Sequence, residues 1–122
     1  MTTSVQLGHD SETLALTYLE QQGLLFKARN FRCKVGEIDL ILYENNVLVF
    51  VEVRRRNHRD YGSGLESITP SKQHRLFKAA IYYLMTQDLV NKVDCRFDII
   101  SIDQHNTVDW IKNTFEPNDD VL

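Results

Sequence analysis

The chain has 122 residues, an apolar fraction of 43% and a charged fraction of 25%, the composition of a globular protein long enough to bury a core without disulfide staples. It contains no apolar run of about 18 residues, so a membrane span is not expected. Its N-terminus, MTTSVQLGHDSE, lacks the basic start and apolar stretch of a secretory signal. Cys33 and Cys95 lie far apart and match no metal-ligand spacing. The expectation is a reduced, cytoplasmic protein with no membrane partner. One domain spanning about 8–115 is expected, with a frayed acidic tail at 116–122.

The formal net charge is −3, which taken alone argues against a nucleic-acid partner. Its distribution argues the other way. Residues 27–78 hold eleven Lys or Arg against six Asp or Glu, while both flanks are acidic. Clustered basic charge is the footprint expected for a polyanion, although a charge run by itself more often marks a solvated face.

In chain order, Asp10 or Ser11 is placed to cap a helix that runs to about Gln22 and stops at Gly23, with Leu14, Ala15, Tyr18 and Leu19 as its apolar stripe. Residues 24–31 read as a strand, followed by a second strand, GEIDLILY, at 36–43. Asn45-Asn46 reads as a turn, since Asn tolerates positive φ, and VLVFVEVR from 47 is the clearest strand of the chain. A polar loop from Arg55 to about Ile68 contains His58 and Tyr61-Gly62-Ser63-Gly64. Thr69 then caps a helix with Pro70 in its first turn, running to about Thr86. CRFDIISI at 95–102 reads as a strand, and VDWI at 108–111 as an edge strand. The order predicts an α/β fold, a mixed central sheet flanked by helices.

Glu37, Asp39 and Glu52 stand inside the most β-prone segments, where an unpaired carboxylate is costly. A two-residue Asn45-Asn46 turn pairs Glu44 with Val47. It thereby sets Ile41 opposite Phe50, Asp39 opposite Glu52, and Glu37 opposite Arg54. Two carboxylates that close repel, and a hard divalent cation such as Mg²⁺ or Mn²⁺ would offset the repulsion. The competing reading is ordinary ion pairing with Arg54, Arg55 or Arg56. Glu12 lies beside the first helix's apolar stripe and can lean toward the sheet, although an acid in a first turn also simply favours the helix dipole. Gln73 shares a face with Leu76, Phe77 and Ala80 and points at the sheet, while His74, Arg75 and Lys78 fan outward. Tyr18, Tyr83 and Trp110 read as core residues.

A carboxylate in one strand followed by Glu-x-Lys-like spacing in the next, within an αβββαβ order, resembles the PD-(D/E)XK nuclease superfamily, whose core is restriction-endonuclease-like. More closely, GEIDLI, then FVEVRRR, then ITPSKQHRLFKAAIYYL resemble the YraN-type family of bacterial proteins, described as predicted endonucleases similar to archaeal Holliday junction resolvases. The resemblance covers about Gly8 to Phe115. It implies Asp39 and Glu52 as metal ligands, Glu12 as the helix acid acting through a water or second ion, and Arg54 in the place of the motif lysine. Arginine keeps its proton, so Arg54 orients water or stabilises charge rather than accepting a proton.

Together these readings predict a Mg²⁺- or Mn²⁺-dependent endonuclease acting on DNA, including branched or junction DNA. Arg54 and Gln73 stand near the reaction, and Arg55, Arg56, Arg59, Lys72 and Arg75 grip flanking phosphates. A resolvase-like role calls for a symmetric homodimer. The alternative is a nuclease-fold module that binds nucleic acid without cleaving it.

Overall fold

A computed structural model describes residues 4–56 and 68–114, with only the backbone described for 4–9. The elements are α1 (Ser4–Gln21), β1 (Leu25–Cys33), β2 (Gly36–Glu44), β3 (Val47–Arg55), α2 (Pro70–Thr86), β4 (Asp94–Ile102) and β5 (Val108–Ile111). The strands form one sheet in the order β1-β2-β3-β4-β5. β1, β2 and β3 are antiparallel neighbours, β3 and β4 pair in parallel across the α2 connection, and β5 returns antiparallel to β4. This is the expected mixed sheet flanked by helices, consistent with an α/β nuclease-like core. Among the described residues no helix is long and apolar enough to cross a membrane.

The two helices cover opposite faces of the sheet, each with its own core. Ala15 and Leu19 of α1 pack on Leu40, Leu42, Val49, Val51, Ile100 and Ile102, with Tyr18 and Trp110 at the margin. Leu76, Phe77, Ala80 and Tyr83 of α2 pack on Ile38, Ile41, Leu48, Phe50 and Phe97. Alternate residues of β3 therefore serve alternate cores, as the pleat requires. Tyr18, Tyr83 and Trp110 are packed in these cores, as expected, and Trp110 meets Tyr18 edge-on at 6.2 Å.

Local signals were obeyed where nothing tertiary competed. Gly23 ends α1 at φ 96, Asn45 turns the β2–β3 hairpin at φ 53, and the Thr69 side chain accepts a hydrogen bond from the Lys72 backbone N–H. One expectation is corrected. The first helix does not begin at Asp10 or Ser11 but six to seven residues earlier, at Ser4. Ser11 is 4% exposed, and its hydroxyl accepts from Arg55 Nε at 2.8 Å, a long-range contact that takes it away from capping.

Candidate functional site

The β2–β3 hairpin follows the register set by its turn from Glu44↔Val47 through Leu40↔Val51. Beyond that the ladder opens. The backbone N–H of Val53 donates to Asp39 Oδ2 at 2.8 Å, so a side chain replaces the next backbone partner. The pleat breaks at the same place. Ile38 belongs to the α2-side core and Leu40 to the α1-side core, although residues two apart normally share a face. On β1, Asn30 stands between the partners of those two residues and takes φ 54.

This opening holds Asp39 in a confined position at the split between β2 and β3. Burial is the largest cause pushing its carboxyl up to about 7, followed by the Glu52 charge; the Val53 N–H works in the opposite direction, and Glu12 and Glu37 add smaller pushes. The two carboxylates expected to meet are therefore electrostatic neighbours, although no backbone pairing joins them. Glu52 is 7% exposed, and Lys72 Nζ, one turn into α2, lies 2.5 Å from its Oε1.

The remaining candidates divide. Glu12 is close enough to act on Asp39, but its carboxylate is ion-paired to Arg29 Nε at 3.4 Å. Among the described residues no group of three or more His, Cys, Asp or Glu side chains is placed to hold a metal ion. Glu37, expected opposite Arg54, instead pairs with its β1 neighbour Arg32 at 3.3 Å. Arg54 stands opposite Ser101 on β4; Arg54 Nη1 and Ser101 Oγ are both buried without a hydrogen-bond partner among the described residues. The Gln73 amide N–H donates to the Ile68 carbonyl at 3.2 Å.

Of the five residues expected to grip phosphates, Arg55 is committed inside the fold: its guanidinium donates to Ser11, to the Asp103 carbonyl and to Asn106. Arg56 lies near Asp103, whose carboxyl is held below its usual value first by the Thr107 backbone N–H and in smaller part by the Arg56 charge. Arg59, like His58 and the Tyr61–Gly64 loop, lies outside the described residues. Lys72 and Arg75 do line the site. They share a cleft of about 210 Å³ with Gly36, Glu37, Glu52 and Leu76.

The contact between Lys72 and Glu52 was missed in the sequence, though a signal existed. Lys72 stands four residues before Leu76 and so shares its sheet-facing stripe. Lys72 was expected to grip a flanking phosphate rather than to pair with Glu52.

Comparison with known proteins bears on the whole of this arrangement. A UPF0102 protein of Coxiella burnetii is 45% identical over 111 residues, covering 91% of this chain and 92% of the relative. One of Legionella pneumophila is 44% identical over 110 residues, covering 89% and 93%, and one of Herminiimonas arsenicoxydans is 46% identical over 111, covering 91% and 85%. Residues 11–102, from the buried Ser11 through the end of β4, match the uncharacterised protein family UPF0102. That span takes in the split hairpin, both carboxylates and the cleft beside α2, and the chain belongs to the UPF0102 family.

Proposed function

We propose that the protein is a metal-dependent phosphodiesterase that cuts DNA as an endonuclease, as its resemblance to the PD-(D/E)XK superfamily implies. The observation that carries this reading is the pair Asp39 and Glu52. Two carboxylates act on each other electrostatically at a broken ladder, one pushed up to about 7 and the other 7% exposed. Such a pair is unfavourable unless a cation joins it, and an ammonium is already drawn onto one member. Two hard oxygen donors beside a cleft fit Mg²⁺ or Mn²⁺, which keep water and phosphate oxygens in their remaining positions.

Asp39 and Glu52 would hold the ion, with Glu12 adding negative charge behind Asp39. A bound divalent cation makes water more acidic and stabilises charge on a phosphate. The chain's own groups do the rest. The Asp39 carboxylate is fixed by the Val53 N–H, so its second oxygen faces a constant direction. Lys72 keeps the Glu52 carboxylate aligned and brings positive charge to the cleft, where an incoming phosphate is attracted. Gln73, anchored at Ile68, offers its amide oxygen to a water, and Arg54, Arg56 and Arg75 supply cations that cannot lose their protons.

The test is cleavage of linear, flapped and four-way DNA by purified protein in Mg²⁺ or Mn²⁺. Strand cleavage is expected in the wild type and a loss of at least a hundredfold in Asp39→Asn and Glu52→Gln. Activity that survives both substitutions belongs to a contaminant and ends the proposal. A nucleic-acid-binding module without turnover is the second reading, favoured by one observation: Arg54 occupies the motif lysine's place. It predicts salt-sensitive binding with no cleavage in any metal.

A further inference from the structure

A second cleft adjoins the first. It has a volume of about 330 Å³ and is lined by residues 32–37 of the β1–β2 turn together with Arg75. The two clefts share Gly36, Glu37 and Arg75, so one groove leads from Glu52 and Lys72 across the end of α2 to the turn. Its walls carry Arg32, Lys34, Lys72 and Arg75 against two acids, and Lys72 already neutralises Glu52. Glu37 is answered by Arg32, a loose pair whose side chains are 74% and 61% exposed. Lys34 and Arg75 are exposed and take part in no ion pair among the described residues.

The groove also has a fixed floor. Gly36 sits so close to α2 that a Cβ there would stand 2.8 Å from the Arg75 carbonyl oxygen. Turn and helix therefore approach closely along the groove floor, with cations on either side. At the end of β3, Arg55 is already committed to Ser11, Asp103 and Asn106.

We infer that the sugar-phosphate backbone of a nucleic acid leaves the carboxylate pair along this groove, gripped by Arg75 and by Lys34 and Arg32 of the β1–β2 turn. This rests on the phosphodiesterase reading and adds to it the direction of the strand and a turn with no role there. The partner is recognised through its phosphates, so affinity is independent of sequence and falls with salt. Glu37 opposes the binding, since it is the one carboxylate of the outer cleft.

The experiment is fluorescence anisotropy with a labelled DNA oligonucleotide, using full-length Asp39→Asn protein so that nothing is cut. Lys34→Gln and Arg75→Gln in that background are each expected to weaken binding about fivefold near 0.1 M salt and to reduce the salt slope by about 1. Glu37→Gln is expected to strengthen binding, a change of opposite sign that structural damage does not produce. Lys92→Gln, far along the chain and paired to Asp88, serves as the control and leaves affinity unchanged. A parent protein that binds while Lys34→Gln, Arg75→Gln and Glu37→Gln all bind like it overturns the groove and leaves the phosphodiesterase reading standing. A parent that binds no DNA even at low salt removes both.

Discussion

Asp39 shows how a single side chain can be costly to the fold and useful to a site. In the unfolded chain its carboxyl has the ordinary value of 3.8; in the folded protein it is pushed up to about 7, first by burial and then by Glu52. Between those values the folded state holds a proton that the unfolded state has released. Stability of the metal-free protein therefore falls as pH rises from about 4 to 7 and stays low above that. A shift of this size corresponds to a loss on the order of 4 kcal/mol at pH 8. Asp39→Asn retains an oxygen for the Val53 N–H but does not ionise. Urea denaturation in EDTA should find the variant more stable than wild type at pH 8, with the gap closing toward pH 4.5. A constant difference at both pH values would mean that the carboxylate is not strained. Adding Mn²⁺ should raise the wild-type midpoint far more at pH 8 than at pH 5.5, because the ion displaces the proton.

Among the elements, those whose boundaries are written in local chemistry were readable from the chain. Thr69-Pro70 opened α2, Asn45-Asn46 closed the hairpin, and the alternation of β3 matched its two cores. What could not be read was set by contacts distant in sequence. Ser11 was drawn to Arg55, so α1 ran through its apparent cap. The hairpin register held for the pairs nearest the turn, but it could not reveal that Val53 would abandon the ladder for the Asp39 side chain. Glu37 turned to β1 because Arg32 stands directly across from it, a pairing fixed by a turn whose geometry no residue announced. The close approach of that turn to α2 is testable on its own. In Gly36→Ala the new Cβ would meet a backbone oxygen at 2.8 Å, so helix or hairpin must shift. The expected cost is about 1–3 kcal/mol, seen as a lower urea midpoint. An unchanged midpoint would show that α2 gives way freely and that the groove floor is not rigid.

Across the molecule, one buried carboxylate ties β4 to its neighbours. Asp98 is 1% exposed and accepts hydrogen bonds from Arg96, from Trp110 Nε1 and from the Asn113 backbone N–H. Arg96 continues the network to Glu44 at 2.8 Å, and so ties the β2–β3 turn to β4. At Glu44 burial pushes the carboxyl up, but the hydrogen bond and charge of Arg96 outweigh it and the net direction is down. β5 has four residues paired to β4 and gains a second attachment through this anchor. β4, in turn, is the parallel partner that holds β3, and Glu52 lies opposite Ile99 in that pairing. Asp98→Ala removes the common acceptor, leaving the indole and a backbone N–H unanswered and Arg96 half-paired. A loss of about 3 kcal/mol is expected, the lower end for a broken buried pair because Glu44 remains. Trp110 is the chain's single tryptophan, so it reports on β5 alone. Its emission should shift to the red and amide exchange across 108–111 should quicken before the rest of the sheet unfolds, whereas the exposed neighbour substitution Asp109→Ala should do neither. Emission and exchange that match wild type in Asp98→Ala would show that β5 is held by its ladder, not by the buried carboxylate.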